Sequence, residues 1–301
     1  RKQIEYSFNG MTQLRTITLP TSLTTIKQEA FTMCSSLRMV VIKEGSNEIT
    51  VEDNTKIFDE NTNLKIYSFA RYSKETLSGK TIEKTITTFG TESNTIHWIY
   101  LNDNSMIIYG IGEMTKYTET ERSEWNQYNE TCQNITIDEY ITTIGSYSFM
   151  GFNKLKTITI PTTVTTIGEY ILRQCISLTS ISVDSNNKQY SSDSNGVLYH
   201  TETKTLIQYP LGKEDRQYSI ETGINTIGSY AFEQAQQLES ITIANDVHTI
   251  KEKAFESIST LKTVTIGTTV ETIEKYAFRY CNNLKSFTVE VNNKGGYKSI
   301  E

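Results

Sequence analysis

Residues Leu261 to Cys281 read LKTVTIGTTVETIEKYAFRYC. The unit places Leu261, Val264, Ile266, Val270, Ile273, Ala277, Phe278 and Cys281 at fixed offsets, and the rest of the chain copies them. Leu284 follows 23 positions after Leu261, and Leu238 precedes it by 23. Leu155 and Leu178 are also 23 apart, as are Leu14 and Leu37, each pair opening the same pattern. A fixed period of this size is the signature of a solenoid.

The physical content of one unit explains why it must repeat. Its first part, L-x-x-I-x-I, alternates apolar and polar residues and is rich in Ile, Val and Thr, which predicts a short strand. Pro20 and Pro161 stand directly after that strand, where a ladder N–H is no longer needed, with Asp138 and Gly267 at the same place. The V-x-x-I run predicts a second extended crossing at the back of the coil. The G-S-Y-A-F segment (Ile227 to Phe232) predicts about one helical turn that places Ala and Phe inward. One unit cannot bury its apolar residues alone, so stability is a sum over stacked neighbours and the ends need caps. The predicted fold class is a repeat solenoid, mainly β with short helical turns. It has leucine-rich-repeat-like stacked parallel strands of 23-residue period and is interrupted by a β-hairpin cap module.

Composition agrees. The chain has 301 residues with 37% hydrophobic content, a low value that a solenoid tolerates because much of each rung is surface. The net charge of −6, with acidic and basic residues scattered, speaks against a nucleic-acid partner or an anionic membrane surface. No apolar run approaches the ~18 residues of a membrane span. Cys34, Cys175 and Cys281 share one repeat position and Cys132 takes a leading-Leu position, so they are expected to be buried thiols filling a core column. A disulfide or metal ladder would need matching cysteines on neighbouring rungs, but Phe152 and Ile258 stand there.

In chain order, residues 1–88 read as the end of a first array and a connection. Tyr6-Ser7-Phe8 matches Tyr147-Ser148-Phe149, rungs open at Leu14 and Leu37, and a weaker one carries Leu64 and Ile66. Residues 67–88 show no repeat. Residues 89–131 read as a capping module, with strands over Ile96–Leu101 and Met106–Ile111 about the turn Asn102-Asp103-Asn104-Ser105, followed by Trp125 and Tyr128. Residues 132–301 read as a second array with rungs led by Cys132, Leu155, Leu178, Asp215, Leu238, Leu261 and Leu284. An insertion at about 186–214 carries Gly196–Tyr199 and Leu206–Tyr209, predicted to form a β-hairpin bulging from the coil. Asn292, Asn293, Lys294 and Tyr297 repeat the approach to that insertion, so the expectation is a fragment of a longer repeat protein.

Units such as IGSYAFEQA and LKTVTIGTTVETIEKYAFRYC resemble the BspA-like class of leucine-rich repeats. WIYLNDNSMIIYGIGEM with the later Trp125 resembles the module that precedes such arrays, and GVLYHTETKTLIQYP resembles the family's hairpin insertion. The resemblance covers nearly the whole chain, most weakly over 45–88. It implies a non-enzymatic cell-surface or secreted protein that binds a protein partner or host matrix component. The departures are Ile171-Leu172 in place of Ala-Phe and Asp215 in place of Leu, both touching local packing.

The chain carries no nucleophile elbow, phosphate loop or dinucleotide fingerprint. His97, His200 and His248 lie on separate segments without ligand spacing and read as solvated or edge residues. Asp184, Asp193 and Glu202 lack the dense acidic spacing of a calcium loop. No cofactor and no metal is expected. The candidate surface lies on the strands, where Thr16, Thr18, Thr157, Thr159, Ser180, Ser182, Ser240, Thr242, Thr263 and Thr265 alternate with the core residues. At a stacking distance of ~4.8 Å they form two hydroxyl ladders. The plain explanation is strand propensity with solubility; the functional one is a flat recognition surface. The spacing also has the geometry of ice-binding solenoids, but the columns mix in Gln217 and Met39. Asn129 and Asn134 head N-glycosylation sequons, Asn-Glu-Thr and Asn-Ile-Thr. Besides an adhesion module, a self-associating structural subunit of an extracellular or cytoskeletal assembly and an intracellular scaffold remain alternatives, the latter with a cytoplasmic location.

Overall fold

The structure is a computed structural model that describes residues 2–4, 7–27, 29–51, 57–58, 63–93 and 95–289. Tyr6 and the C-terminal match at Asn292, Asn293, Lys294 and Tyr297 lie outside the described residues. The fold is a β-solenoid of 23-residue rungs, and it divides into two compact units. The first comprises residues 1–90 and 98–103, the second 91–97 and 104–301.

In the first unit, parallel strands Thr16–Leu19, Met39–Ile42, Lys65–Phe69 and Lys80–Thr91 stack with Ile17, Val40, Ile66 and Ile82 in one row. Residues 67–88, which show no repeat, are therefore largely sheet: Thr76–Leu77 turns back on Lys80–Thr91, whose buried Ile82 and Ile86 supply the alternation. The back run Leu23–Ile26 pairs with Lys2–Ile4 and Thr50–Val51. Phe8, Phe31 and Phe58 stack at 5.1 and 5.3 Å within the core.

In the second unit, Ser105–Gly110, Asn134–Ile137, Thr157–Ile160 and Ser180–Val183 form one parallel sheet. Gln217–Ser219, Ser240–Ile243, Thr263–Ile266 and Ser286–Val289 form another. Ile135, Ile158 and Ile181 fall in one buried row, as do Tyr218, Ile241 and Val264. Back strands Thr226–Ile227, Thr249–Ile250 and Thr272–Ile273 also pair in parallel. The arms expected for the capping hairpin are strands, Ile96–Leu101 and Ser105–Gly110, and the second arm pairs with the first rung of this unit, Met106 beside Ile135. Trp125 is fully buried, donates from Nε1 to the Ser148 carbonyl at 2.9 Å and lies 6.1 Å from Phe149.

The third side of each rung is not helical as the sequence suggests. Among the described residues the only helix is the 3-10 turn Glu124–Tyr128. Tyr230 and Gln234 have φ of +59° and +63°, and the same two positions are left-handed at Tyr147 and Gly151, Tyr170 and Gln174, Lys253 and Ser257, Tyr276 and Tyr280. A helix needs every residue right-handed. Here left-handed residues turn alternate amides toward the next rung instead. Tyr230, Phe232 and Gln234 donate to the carbonyls of Glu252, Ala254 and Glu256 at 3.3, 2.8 and 3.0 Å. Ala231 and Phe232 point inward and are fully buried, as expected. Phe232, Phe255 and Phe278 stack at 4.8 and 4.9 Å.

The insertion is a hairpin, but it does not bulge. Leu198–His200 pairs antiparallel with Tyr190–Ser192 and with Thr205–Gln208, and the last strand joins the back sheet beside Thr226–Ile227. Tyr209 stacks on Phe232 at 4.8 Å, taking the place a phenylalanine holds in other rungs. Asn187 fixes the start of the insertion. Its buried amide donates to the Pro161 and Val164 carbonyls at 2.8 and 2.9 Å and accepts from the Gln189 and Tyr190 amides, both at 2.9 Å. All its hydrogen-bonding capacity is thereby used in a buried place. The departures are accommodated: Ile171 and Leu172 are buried, and exposed Asp215 pairs with Lys213 at 3.2 Å while Leu211 and Tyr218 join the core.

Candidate functional site

Stacking in register brings the strand hydroxyls together. Asn134, Thr157 and Ser180 form one column and Thr136, Thr159 and Ser182 the next, all half-buried or exposed. On the other sheet, Gln217, Ser240, Thr263 and Ser286 align, as do Ser219, Thr242, Thr265 and Thr288. Neighbouring members are hydrogen-bonded: Thr157 Oγ1 donates to Asn134 Oδ1 and Thr263 Oγ1 to Ser240, each at 2.7 Å. These bonds hold polar groups in one orientation, which lowers the entropy lost when a partner docks.

Two features of the columns differ from the expectation. They are not continuous, because Ile181 and Leu178 are engaged by the insertion: the Ile181 amide donates to the Gly196 carbonyl at 3.0 Å and the Gly212 amide to the Leu178 carbonyl at 2.8 Å. A Cβ on Gly196 would meet Ser180 Oγ at 2.7 Å, so only glycine allows that approach. In the first unit, Thr16 and Thr18 lie beside Met39 and Val41, both buried, so a polar column does not extend there.

The four cysteines are buried thiols. The histidines are dispersed: His97 Nδ1 lies 3.2 Å from Thr91 Oγ1, His200 Nδ1 accepts from the Thr203 amide at 3.3 Å, and His248 Nδ1 is 2.8 Å from the Asp246 carbonyl. Among the described residues no three His, Cys, Asp or Glu side chains are placed to hold a metal ion, and no helix is long and apolar enough to cross a membrane. Asn134 is exposed on its strand and Asn129 is half-buried after the 3-10 turn.

A second surface was missed by sequence reasoning. Tyr147, Tyr170 and Tyr230 line the turn edge with ring centroids 5.2 and 5.0 Å apart. The Arg173 guanidinium sits 4.2 Å over Tyr230 and reaches the buried Glu233 carboxylate with Nε at 2.7 Å and a second nitrogen at 3.1 Å. Burial opposes the charge on Arg173, but Glu233 holds its pKa above the ordinary value. The tyrosines recur at one repeat offset, a signal legible in the sequence. Their left-handed backbone is not.

The model of the BspA type leucine rich repeat region matches six copies over residues 2–95, 123–200 and 215–299. No curated protein matches the chain in sequence. Among solved structures, the pneumococcal vaccine antigen PcpA is similar at 18% identity, over 95% of this chain and 74% of that one, with a TM-score of 0.48. A leucine-rich repeat protein from Eubacterium ventriosum is similar at 22% identity, over 67% and 72%, with a TM-score of 0.43. A leucine rich cell surface protein from Faecalibacterium prausnitzii is similar at 17% identity, over 93% and 88%, with a TM-score of 0.36. With the family model covering most of its length, and a 23-residue rung built from the residues that define it, the chain belongs to the BspA-type leucine-rich repeat family.

Proposed function

We propose that this protein is a non-enzymatic, cell-surface or secreted adhesion module that binds a protein partner or host matrix component through the strand faces of its second unit. The observation that carries this reading is the register that sets Thr157 between Asn134 and Ser180 and Thr263 between Ser240 and Ser286. It gives a flat, hydrogen-bonded row of hydroxyls without the convergent acid, base or nucleophile that catalysis requires. Leucine-rich repeats suit protein binding because stacked rungs present an extended surface. An N-linked glycan on Asn134 would stand on this face, so glycosylation there and docking would compete.

The test is a triple variant, Thr157→Lys, Ser240→Lys and Thr263→Lys, which puts long charged side chains on one column of each strand face. Attachment to immobilised matrix proteins and to host cells is measured for the wild type and the variant. We expect at least a tenfold loss of attachment with an unchanged circular dichroism spectrum. Equal attachment by the variant would remove the strand faces from the binding surface. Intact mass of the protein from its native source checks occupancy of Asn129 and Asn134.

A further inference from the structure

The insertion and the rung that follows it enclose a cavity. It lies between the hairpin (Ser191, Asp193, Tyr199, His200), its turn (Lys204) and the loop 221–224 of the next rung, and has a volume of about 250 Å³. Asp193 is held at its side by a dense set of bonds. Oδ1 accepts from the Asn195 and Val197 amides at 3.0 and 2.8 Å, and Oδ2 faces the Tyr199 and Tyr218 hydroxyls at 3.2 and 3.4 Å. The two hydroxyls lie 2.9 Å apart, and both tyrosines are buried.

We propose that this cavity is a carbohydrate site that takes one neutral hexose-sized unit, at the end or a branch of a glycan. Proton counting supports this. Two phenol protons serve three oxygen–oxygen contacts, and the two to Oδ2, at 3.2 and 3.4 Å, are longer than ordinary O–H···O bonds. The carboxylate oxygen therefore keeps capacity for a ligand hydroxyl. His200 Nδ1 already accepts the Thr203 amide, so the neutral ring carries its proton on Nε2 as a donor. Carboxylates at Asp193 and Glu221 are partly offset by the Lys204 ammonium, which leaves a lining of mixed donors and acceptors with charges of both signs. That chemistry suits a polyhydroxylated neutral ligand better than an ion. The volume is below the ~300 Å³ at which sites for drug-sized ligands begin and suits a single sugar ring. None of the lining residues belongs to the hydroxyl columns, so this site is independent of the proposed strand-face contact.

The experiment is saturation-transfer NMR and calorimetry on the full chain with the methyl glycosides of glucose, galactose, mannose and N-acetylglucosamine, with glycine and ethanolamine as ionic probes. At least one glycoside is expected to bind with a Kd in the millimolar range or tighter. Lys204→Ala with Glu221→Gln, both exposed positions, should weaken it at least tenfold with an unchanged melting temperature. The strand-face triple variant should bind the glycoside as the wild type does. The proposal is overturned if none of the four glycosides binds with a Kd below about 50 mM. It is equally overturned if Lys204→Ala with Glu221→Gln binds unchanged, or if only the ionic probes bind.

Discussion

Cys175 Sγ lies 3.2 Å from the carbonyl oxygen of Phe149, 26 positions earlier and one rung below. The same bond links Cys281 to Phe255 at 3.1 Å and Cys34 to Phe8 at 2.9 Å. The thiol thus fills a small core position and brings a further donor to a carbonyl of the rung below; the Phe149 and Phe8 carbonyls also accept the Phe152 and Met11 amides at 3.3 and 3.1 Å. Burial pushes the Cys175 thiol up to about 12 and also raises that of Cys281. Only the thiolate attacks alkylating reagents. Native protein at pH 8 should therefore leave Cys175 unmodified by iodoacetamide, and Cys281, at 9% exposure, should be modified first. Peptide mass mapping against time reads this order.

The same thiol gives a pH dependence. Its folded-state pKa lies above its unfolded value of 9.0, so the folded protein holds a proton that the unfolded chain releases. The contribution to stability is complete below pH 9 and is lost as pH rises from there toward 12, at up to ~1.4 kcal/mol per pH unit for one group. Tyr67, also pushed to about 12 mainly by burial, acts in the same direction in the first unit above pH 10. Urea midpoints measured between pH 7 and 11 should fall at the alkaline end, and a flat profile would contradict this.

Phe232 stands between Tyr209 and Phe255, 4.8 Å from each. Phe232→Ala opens a cavity in the middle of that stack and should cost ~3–5 kcal/mol. Phe278 is only partly buried and closes the stack, so Phe278→Ala should cost clearly less. Chemical denaturation of the two variants separates the positions.

Arg173 and Glu233 are 60 positions apart and join the rung before the insertion to the rung after it. Removing the cation leaves a buried carboxylate unpaired. Arg173→Ala should cost ~3 kcal/mol, whereas the double change with Glu233→Gln should recover part of that loss. A double-mutant cycle in urea gives the coupling directly, and additive effects would mean the pair contributes nothing of its own.

Asn187→Ala deprives two carbonyls and two amides of their partner at once, in a buried place. A loss of ~2–4 kcal/mol is expected, from bonds of ~1 kcal/mol each with the added penalty of unsatisfied buried groups. Asn187→Asp keeps the acceptor but sets a carboxylate oxygen against the Pro161 and Val164 carbonyls in a buried place, so at neutral pH it should be at least as damaging as alanine. Thermal unfolding of the three proteins orders them.

The sequence determined the rung. Leu261, Val264 and Ile266 alternate with threonines because one face of a strand must be buried, and the recurrence of that pattern after 23 positions leaves stacking as the way to cover it. The inward Ala231 and Phe232, the cysteine column and the pairing of the two insertion strands were legible for the same reason: burial writes itself into local spacing. Tertiary structure decided where the repeat is broken. Tyr230 and Gln234 adopt left-handed backbone because amides of one rung seek carbonyls of the next, a demand that no single rung contains. The route of the insertion was equally hidden. Thr205–Gln208 joins the back sheet, Gly196 presses against Ser180, and Asp193 meets Tyr218 from 25 positions away. Those contacts follow from how the chain returns to the stack after leaving it, so they split the hydroxyl columns and open the cavity only once the fold is complete.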